Sequence, residues 1–172
     1  KRLPKARWSM PCGEGHSSII TSGKRVITLE QEGNKEVLIA RSLDDGRTLW
    51  KVAETTKWQD SMSGIGPRST PTLHQGKIYT LFSNGRLSCV DAKSGEVFWN
   101  TQTLGQGYDF PEWGLSMSPL VWKDRIILNP GGEDSAVQAY AKDSGDLKWT
   151  SRLQGRGVYM SPEILSLLGE DH

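Results

Sequence analysis

Short apolar runs separated by polar turns recur along the whole chain and predict β-strands. Runs such as 25–29, 37–40, 78–82 and 87–90 are rich in Val, Ile, Leu, Thr and aromatic residues, and Gly, Asn, Asp or Pro stands at their ends. This length and composition are typical of strands, and Ser83-Asn84-Gly85 has the sequence of a hairpin turn. No segment keeps the apolar spacing of an amphipathic helix over three turns. The pattern therefore predicts an all-β protein.

A glycine followed four residues later by a tryptophan occurs three times, and the tryptophans are 49 and 50 residues apart. The pairs are Gly46 and Trp50, Gly95 and Trp99, and Gly145 and Trp149. A fixed period of this size indicates a repeated supersecondary unit. Each repeat contains four apolar runs, which is the content of one four-stranded antiparallel β-propeller blade.

The glycine and the tryptophan of each repeat are expected to have structural roles. Glycine adopts the positive φ of a tight turn at the least cost. The tryptophan on the strand that follows is expected to cover that turn and the neighbouring blade, where a large aromatic side chain buries much apolar surface.

Several segments resemble a known family, the pyrroloquinoline-quinone (PQQ)-like β-propeller repeat proteins of bacteria. Residues 87–99 and 137–149 resemble the tryptophan-docking repeat of that family, and residues 66–72 and 113–120 resemble its blade openings. The resemblance extends over about residues 8 to 165. It implies part of a ring of seven or eight blades.

The chain is interpreted as a single partial PQQ-like propeller domain over residues 1–172. Blades are predicted at about 16–52, 68–102 and 115–152, with part-blades at 5–12 and 158–168. Three blades do not close a ring, and an open ring leaves flanks that are prone to association. The remainder of the ring or a second half-ring is therefore an expected partner.

Composition and charge exclude some partners. The 21 basic residues are interleaved with 20 acidic ones, for a net charge of +1, so no nucleic-acid-binding stripe is predicted. No run approaches the roughly 20 apolar residues of a membrane span. Cys12 and Cys89 lack the close spacing of a metal motif, and no metal site is predicted. Whether these cysteines are free is left open.

The candidate binding residues lie in and beside the long connections between blades, at about 53–67, 103–114 and 154–158. In a propeller these connections gather at one rim of the central channel, where ligands bind. The candidates are Arg68, Trp113, Trp58, Arg156 and Tyr159. Arg68 ranks first because it precedes a strand expected to line the channel. Aromatic and charged groups together favour a protein or a planar, polar or anionic small molecule as the ligand.

No arrangement of nucleophile, base and orienting group can be assembled from the sequence. The favoured interpretation is a non-catalytic binding or assembly scaffold with no cofactor. The resemblance implies a periplasmic or otherwise extracytoplasmic location, because related repeat proteins are typically exported. The alternative is a quinoprotein dehydrogenase that oxidises an alcohol or sugar with PQQ and calcium, its active-site residues lying largely outside this chain. Such enzymes carry an adjacent-cysteine pair, which this sequence lacks.

Overall fold

The computed structural model describes residues 5–106, 108–132, 136–153, 155, 159–167 and 170–171. Within this part of the chain there are sixteen strands and no helix. Twelve of the strands form three four-stranded sheets, called blades 1, 2 and 3 here. Blade 1 contains β1 (Ile20–Ser22), β2 (Arg25–Glu32), β3 (Lys35–Ser42) and β4 (Thr48–Glu54). A short hairpin of β5 (Gln59–Asp60) and β6 (Gly64–Ile65) follows.

Blades 2 and 3 repeat the order of blade 1. Blade 2 contains β7 (Thr72–His74), β8 (Lys77–Leu81), β9 (Arg86–Asp91) and β10 (Val97–Gln102). Blade 3 contains β11 (Leu120–Trp122), β12 (Arg125–Leu128), β13 (Gln138–Ala141) and β14 (Leu147–Thr150), and β15 (Ser166–Leu167) pairs with β16 (Glu170–Asp171). Within each blade, consecutive strands are hydrogen-bonded antiparallel neighbours. The predicted all-β class with four-stranded blades is confirmed, and the three blades form an open part of a ring.

The hydrophobic core lies between the blades, because alternate residues of a strand point to opposite faces of its sheet. Ile27 and Leu38 of blade 1 pack against Ile78 and Val90 of blade 2. The residues adjacent to Ile78 and Val90, which are Tyr79 and Cys89, point to the opposite face of blade 2. They belong to a second cluster that blade 2 shares with blade 3. The middle blade is therefore buried on both faces.

The turn before each motif tryptophan has the same geometry in all three blades. Gly46, Gly95 and Gly145 have φ values of 76°, 79° and 77°, in the left-handed region that glycine tolerates best. Three residues after each glycine, just before the tryptophan, the strand pairing slips, so that Trp99 lies opposite Cys89 and Trp149 lies opposite Ala139. The slip is a β-bulge, which bends the strand and redirects its side chains.

Each motif glycine lies under a tryptophan of the preceding repeat. The expectation that a tryptophan covers the turn of its own repeat is therefore wrong, whereas its contact with the neighbouring blade is as expected. A methyl group built on Gly95 would lie 2.8 Å from the indole of Trp50, and one on Gly145 would lie 2.5 Å from Trp99. Gly46 is covered in the same way by Trp8, whose Nε1 donates to the carbonyl oxygen of Leu43 at 2.9 Å. Trp8 therefore occupies the place of a motif tryptophan from a preceding blade.

A line of hydrogen bonds joins the segments that precede the first strand of successive blades. The backbone N–H of Ser18 donates to Thr70 Oγ1 at 3.0 Å, and that of Thr70 donates to Ser118 Oγ at 3.1 Å. The N–H of Ser118 donates in turn to Ser161 Oγ at 2.9 Å. The segment around Ser161 therefore lies beside the opening of blade 3 as the opening of blade 3 lies beside that of blade 2.

Candidate functional site

Four of the five predicted rim residues are described by the structure. Arg68, Trp113 and Tyr159 line one cavity. Trp58 is not one of the lining residues. Its indole N–H and the Arg68 guanidinium both donate hydrogen bonds to the carboxylate of Asp60. Arg156 lies outside the described residues.

The loop between β5 and β6 is organised around the carboxylate of Asp60. Its Oδ1 accepts hydrogen bonds from the N–H of Ser63 at 2.7 Å and of Met62 at 3.0 Å. The Ser63 hydroxyl lies within 3 Å of both carboxylate oxygens, and Trp58 Nε1 donates to Oδ2 at 3.1 Å. These donors, the Ser63 N–H first among them, hold the pKa of Asp60 well below its usual value, because they stabilise the ionised form.

Arg68 is the cation of this cluster. Its Nη2 lies 2.6 Å from Asp60 Oδ2, and the side chains of the pair are only 7% and 10% exposed. The same guanidinium donates to Ser63 Oγ at 2.6 Å and to the carbonyl oxygens of Gly64 and Gly66. Arg68 thus lines the cavity, and its charge is neutralised within its own loop.

Aromatic side chains form two groups near this loop. Trp58 packs 5.7 Å from Phe110, which meets Tyr108 edge to face, and the Trp58 indole covers Gly114 so closely that a methyl group there would clash. Trp113 and Tyr159 form the second group, with ring centroids 4.9 Å apart. Trp58 and Tyr108 are half-buried, whereas Phe110, Trp113 and Tyr159 are each over a third exposed.

The cavity has a volume of about 520 Å³, within the range of small-molecule sites. Trp113, Tyr159 and Met62 supply its aromatic and thioether surface, and Arg68 lies on its wall. It also has polar groups, which are those of His16, Ser63 and Ser116. His16 Nε2 lies 2.8 Å from the carbonyl oxygen of Ser63.

Sequence reasoning did not assign Met62, Ser63 or Ser116 to the site. One signal was available for Ser63, since Asp60 and Ser63 have the three-residue spacing of Asp91 and Ser94, a pair that makes the same carboxylate-to-N–H contact in a motif turn. Ser116 belongs to a predicted blade opening. Nothing in the sequence distinguishes its side chain from that of Ser118 two residues later.

Among the described residues, no group of three or more His, Cys, Asp or Glu side chains is placed to hold a metal ion. Both cysteines are free, with Cys12 exposed and Cys89 buried, and burial raises the pKa of Cys89 to about 11. The part of the chain that the structure describes contains no helix long and apolar enough to cross a membrane.

Blades that pack face to face, tryptophans that cover glycine turns and a cavity at the loop end define a β-propeller of PQQ-like repeats. The family model described as outer membrane protein assembly factor BamB matches residues 5–110 and 34–171. These matches together cover nearly the whole chain, and the chain belongs to this family.

Similar proteins include both enzymes and an assembly factor. Quinohemoprotein alcohol dehydrogenase ADH IIB of Pseudomonas putida is 30% identical over 124 residues, which are 65% of this chain and 17% of that protein. Outer membrane protein assembly factor BamB of Salmonella typhimurium is 29% identical over 112 residues, which are 63% of this chain and 25% of that protein. The chain thus spans a quarter or less of the length of these two relatives.

Among solved structures, BamB from Moraxella catarrhalis superposes with a TM-score of 0.61 at 16% identity. The superposition covers 83% of this chain and 41% of that one. At this level of identity the likeness supports the fold, and the predicted resemblance to PQQ-like propellers is confirmed.

The described residues do not fit PQQ and calcium, the groups that the dehydrogenase alternative needs. PQQ carries several carboxylates, which are held most strongly by charge-assisted hydrogen bonds from arginine or lysine. Arg68, the guanidinium at the cavity, is already paired with Asp60 at 2.6 Å. We therefore derive no chemical step through this cofactor.

Proposed function

We propose that this protein is a non-catalytic propeller that acts as a binding or assembly scaffold outside the cytoplasm. The observation that carries the proposal is the Asp60–Arg68 ion pair. Arg68 donates through Nη1 and Nη2 to Asp60, Ser63 and Gly66 of its own loop, which leaves few of its donors for a substrate or cofactor. The site is therefore a partly aromatic cavity beside a loop that is cross-linked by its own hydrogen bonds. Such a cavity is suited to binding.

The proposed partner is a protein or small molecule at this cavity, on the rim of the channel. Trp113 is 37% exposed and Tyr159 is 42% exposed, and exposed aromatic side chains are enriched where proteins recognise ligands. The family to which the chain belongs is named for an assembly factor, which supports a role in binding and the extracytoplasmic location. The remainder of the ring or a second half-ring stays part of this proposal.

A quinoprotein dehydrogenase is the second candidate. It is favoured by the similarity to alcohol dehydrogenases, among them the 30% identical Pseudomonas putida enzyme. On this alternative the residues that hold PQQ and calcium lie largely outside the present chain.

The two candidates differ in one measurable property, the binding of PQQ. The intact protein is titrated with PQQ with and without calcium, and absorbance and dye reduction with alcohols and sugars are followed. A scaffold gives no stoichiometric binding and no dye reduction. Tight, calcium-dependent binding at one PQQ per chain together with dye reduction would replace the scaffold with the dehydrogenase.

A further inference from the structure

The two exposed aromatic rings of the cavity are held in a fixed arrangement. The Trp113 and Tyr159 rings lie 4.9 Å apart and are tilted by 36°. The Tyr159 hydroxyl and the backbone N–H of Trp113 are 3.3 Å apart, with the N–H as donor. This hydrogen bond ties the Tyr159 side chain to the backbone at Trp113, 46 positions earlier in the chain. Because they remain over a third exposed, each can still offer surface to a third ring.

The charge of the cavity wall is balanced. Arg68 and Asp60 form an ion pair at 2.6 Å, and both side chains are nearly buried. An anionic ligand would have to compete with Asp60 for the guanidinium, and the Ser63 contacts that keep Asp60 ionised oppose this exchange. The balance favours an uncharged ligand over a carboxylate.

Two polar groups at the cavity retain bonding capacity. Ser116 Oγ is buried and has no hydrogen-bond partner among the described residues, and a buried hydroxyl without a partner is costly. His16 Nε2 is bonded to the carbonyl oxygen of Ser63. That contact requires the proton on Nε2, and in the neutral ring it makes Nδ1 an acceptor.

We propose that this cavity binds an uncharged aromatic ring that carries one hydroxyl or N–H group, such as a phenol or an indole. The ring stacks on Trp113 and Tyr159, and its polar group bonds the Ser116 hydroxyl after that side chain rotates towards the cavity. The inference deepens the proposed scaffold function and rests on it. The ring belongs either to a free small molecule or to a tyrosine or tryptophan side chain of a partner protein.

The ligand class is tested by competition. The reporter is 4-fluorophenol, whose ¹⁹F line broadens when it binds the intact protein. Phenol, benzoate and cyclohexanol then compete for the site, because they differ in charge and in aromaticity at similar size. Phenol is expected to displace the reporter at a concentration about three- to tenfold lower than the other two. Equal or better displacement by benzoate or cyclohexanol would overturn the inference.

Variants locate the binding site. Trp113→Leu is expected to weaken 4-fluorophenol binding about three- to tenfold, since it removes one stacking partner. Trp149→Leu is the matched control, because Trp149 is similarly exposed, at 46%, but lies outside the cavity. Ser116→Ala is expected to weaken phenol by about fivefold and to leave fluorobenzene unchanged. Should Trp113→Leu not fold, Tyr159→Leu takes its place. Unchanged binding by a folded variant of either aromatic residue would reject the site.

The source of the ring is resolved by a third set of probes. N-acetyltyrosinamide and a five-residue peptide with a central tyrosine are compared with phenol. Tighter binding of the peptide supports a protein partner, and equal or weaker binding supports a free small molecule. If none of the three displaces the reporter, the inference fails. The scaffold proposal is judged separately by the PQQ titration.

Discussion

At the scale of single residues, Arg68 shows how a charged side chain can support a loop. The side chains of Arg68 and Asp60 are 7% and 10% exposed, and loss of one partner of a nearly buried pair leaves the other charge without compensation. The donors from Ser63 and Met62 fix the Asp60 carboxylate. Arg68 then closes the loop by binding both that carboxylate and two backbone carbonyls.

We expect Arg68→Met to lower the melting temperature and to open the 58–66 loop to proteolysis. Arg47→Met is the control, because Arg47 is 71% exposed and lies 3.3 Å from its exposed carboxylate partner, Asp45, and surface pairs contribute little. Thermal unfolding and limited proteolysis followed by mass spectrometry measure both effects. Equal losses in the two variants would show that the Asp60–Arg68 pair does not hold the loop.

A second residue-scale prediction concerns Glu36, which is fully buried between blades 1 and 2. Burial raises its pKa above 4.5, and hydrogen bonds from Ser83 oppose this only in part. A raised pKa in the folded state means that folding favours the protonated form. The stability from this group is full below about pH 4.5 and is lost as the pH rises through the raised pKa.

Glu36→Gln should therefore be more stable than the parent at pH 7, with the difference shrinking towards pH 4. The amide keeps an acceptor for the Ser83 N–H and carries no charge. Denaturant unfolding at several pH values gives the two stability curves. Parallel curves would mean that Glu36 is ionised at the same pH in both the folded and the unfolded protein.

At the scale of elements, the sequence predicts turns and strands that depend on neighbouring residues, but not contacts between residues of different repeats or within irregular connections. The Gly-x-x-x-Trp spacing is legible because the turn and the bulge need only residues 46–50 and their equivalents. The same spacing predicts that each indole covers the turn of its own repeat, which is wrong because the covered glycine lies a whole repeat away. The Asp60–Arg68 pair was also hidden, because it joins two residues of an irregular connection where no period applies.

The contrast between Trp99 and Trp149 tests whether each motif tryptophan docks on the following blade. Trp99 packs against the core between blades 2 and 3 and covers Gly145, whereas Trp149 is 46% exposed. We expect Trp99→Ala to cost about 3 kcal/mol of unfolding free energy and Trp149→Ala about 0.5 kcal/mol or less. Denaturant unfolding of the 172-residue chain measures both values. Equal costs would contradict the docking of each tryptophan on the following blade.

At the scale of the molecule, repetition predicts the ring, but the binding cavity depends on which segments meet. The line of hydrogen bonds from Ser18 to Ser161 has one bond per blade, as expected of a contact that follows the sequence repeat. The cavity instead combines His16, the loop after β5, Trp113 and Tyr159, each from a different connection. Their meeting depends on how successive blades pack against one another, and the repeat period does not specify which connections come together.

The arrangement of blades also predicts an order of local stability. Strands β8 and β9 place Tyr79 and Cys89 against blade 3 and Ile78 and Val90 against blade 1, so their amides open only when the whole sheet opens. Strands β10 and β14 hold the same place in successive blades, but all four residues of β14 are exposed. In hydrogen exchange of the 172-residue chain, protection should fall from β8 and β9 to β10 and then to β14. β10 and β14 share sequence pattern and strand order, so their difference reports mainly the packing of Trp99 on β10 against the core shared with blade 3. Equal exchange in β10 and β14 would mean that packing between blades adds nothing to the protection of an outer strand.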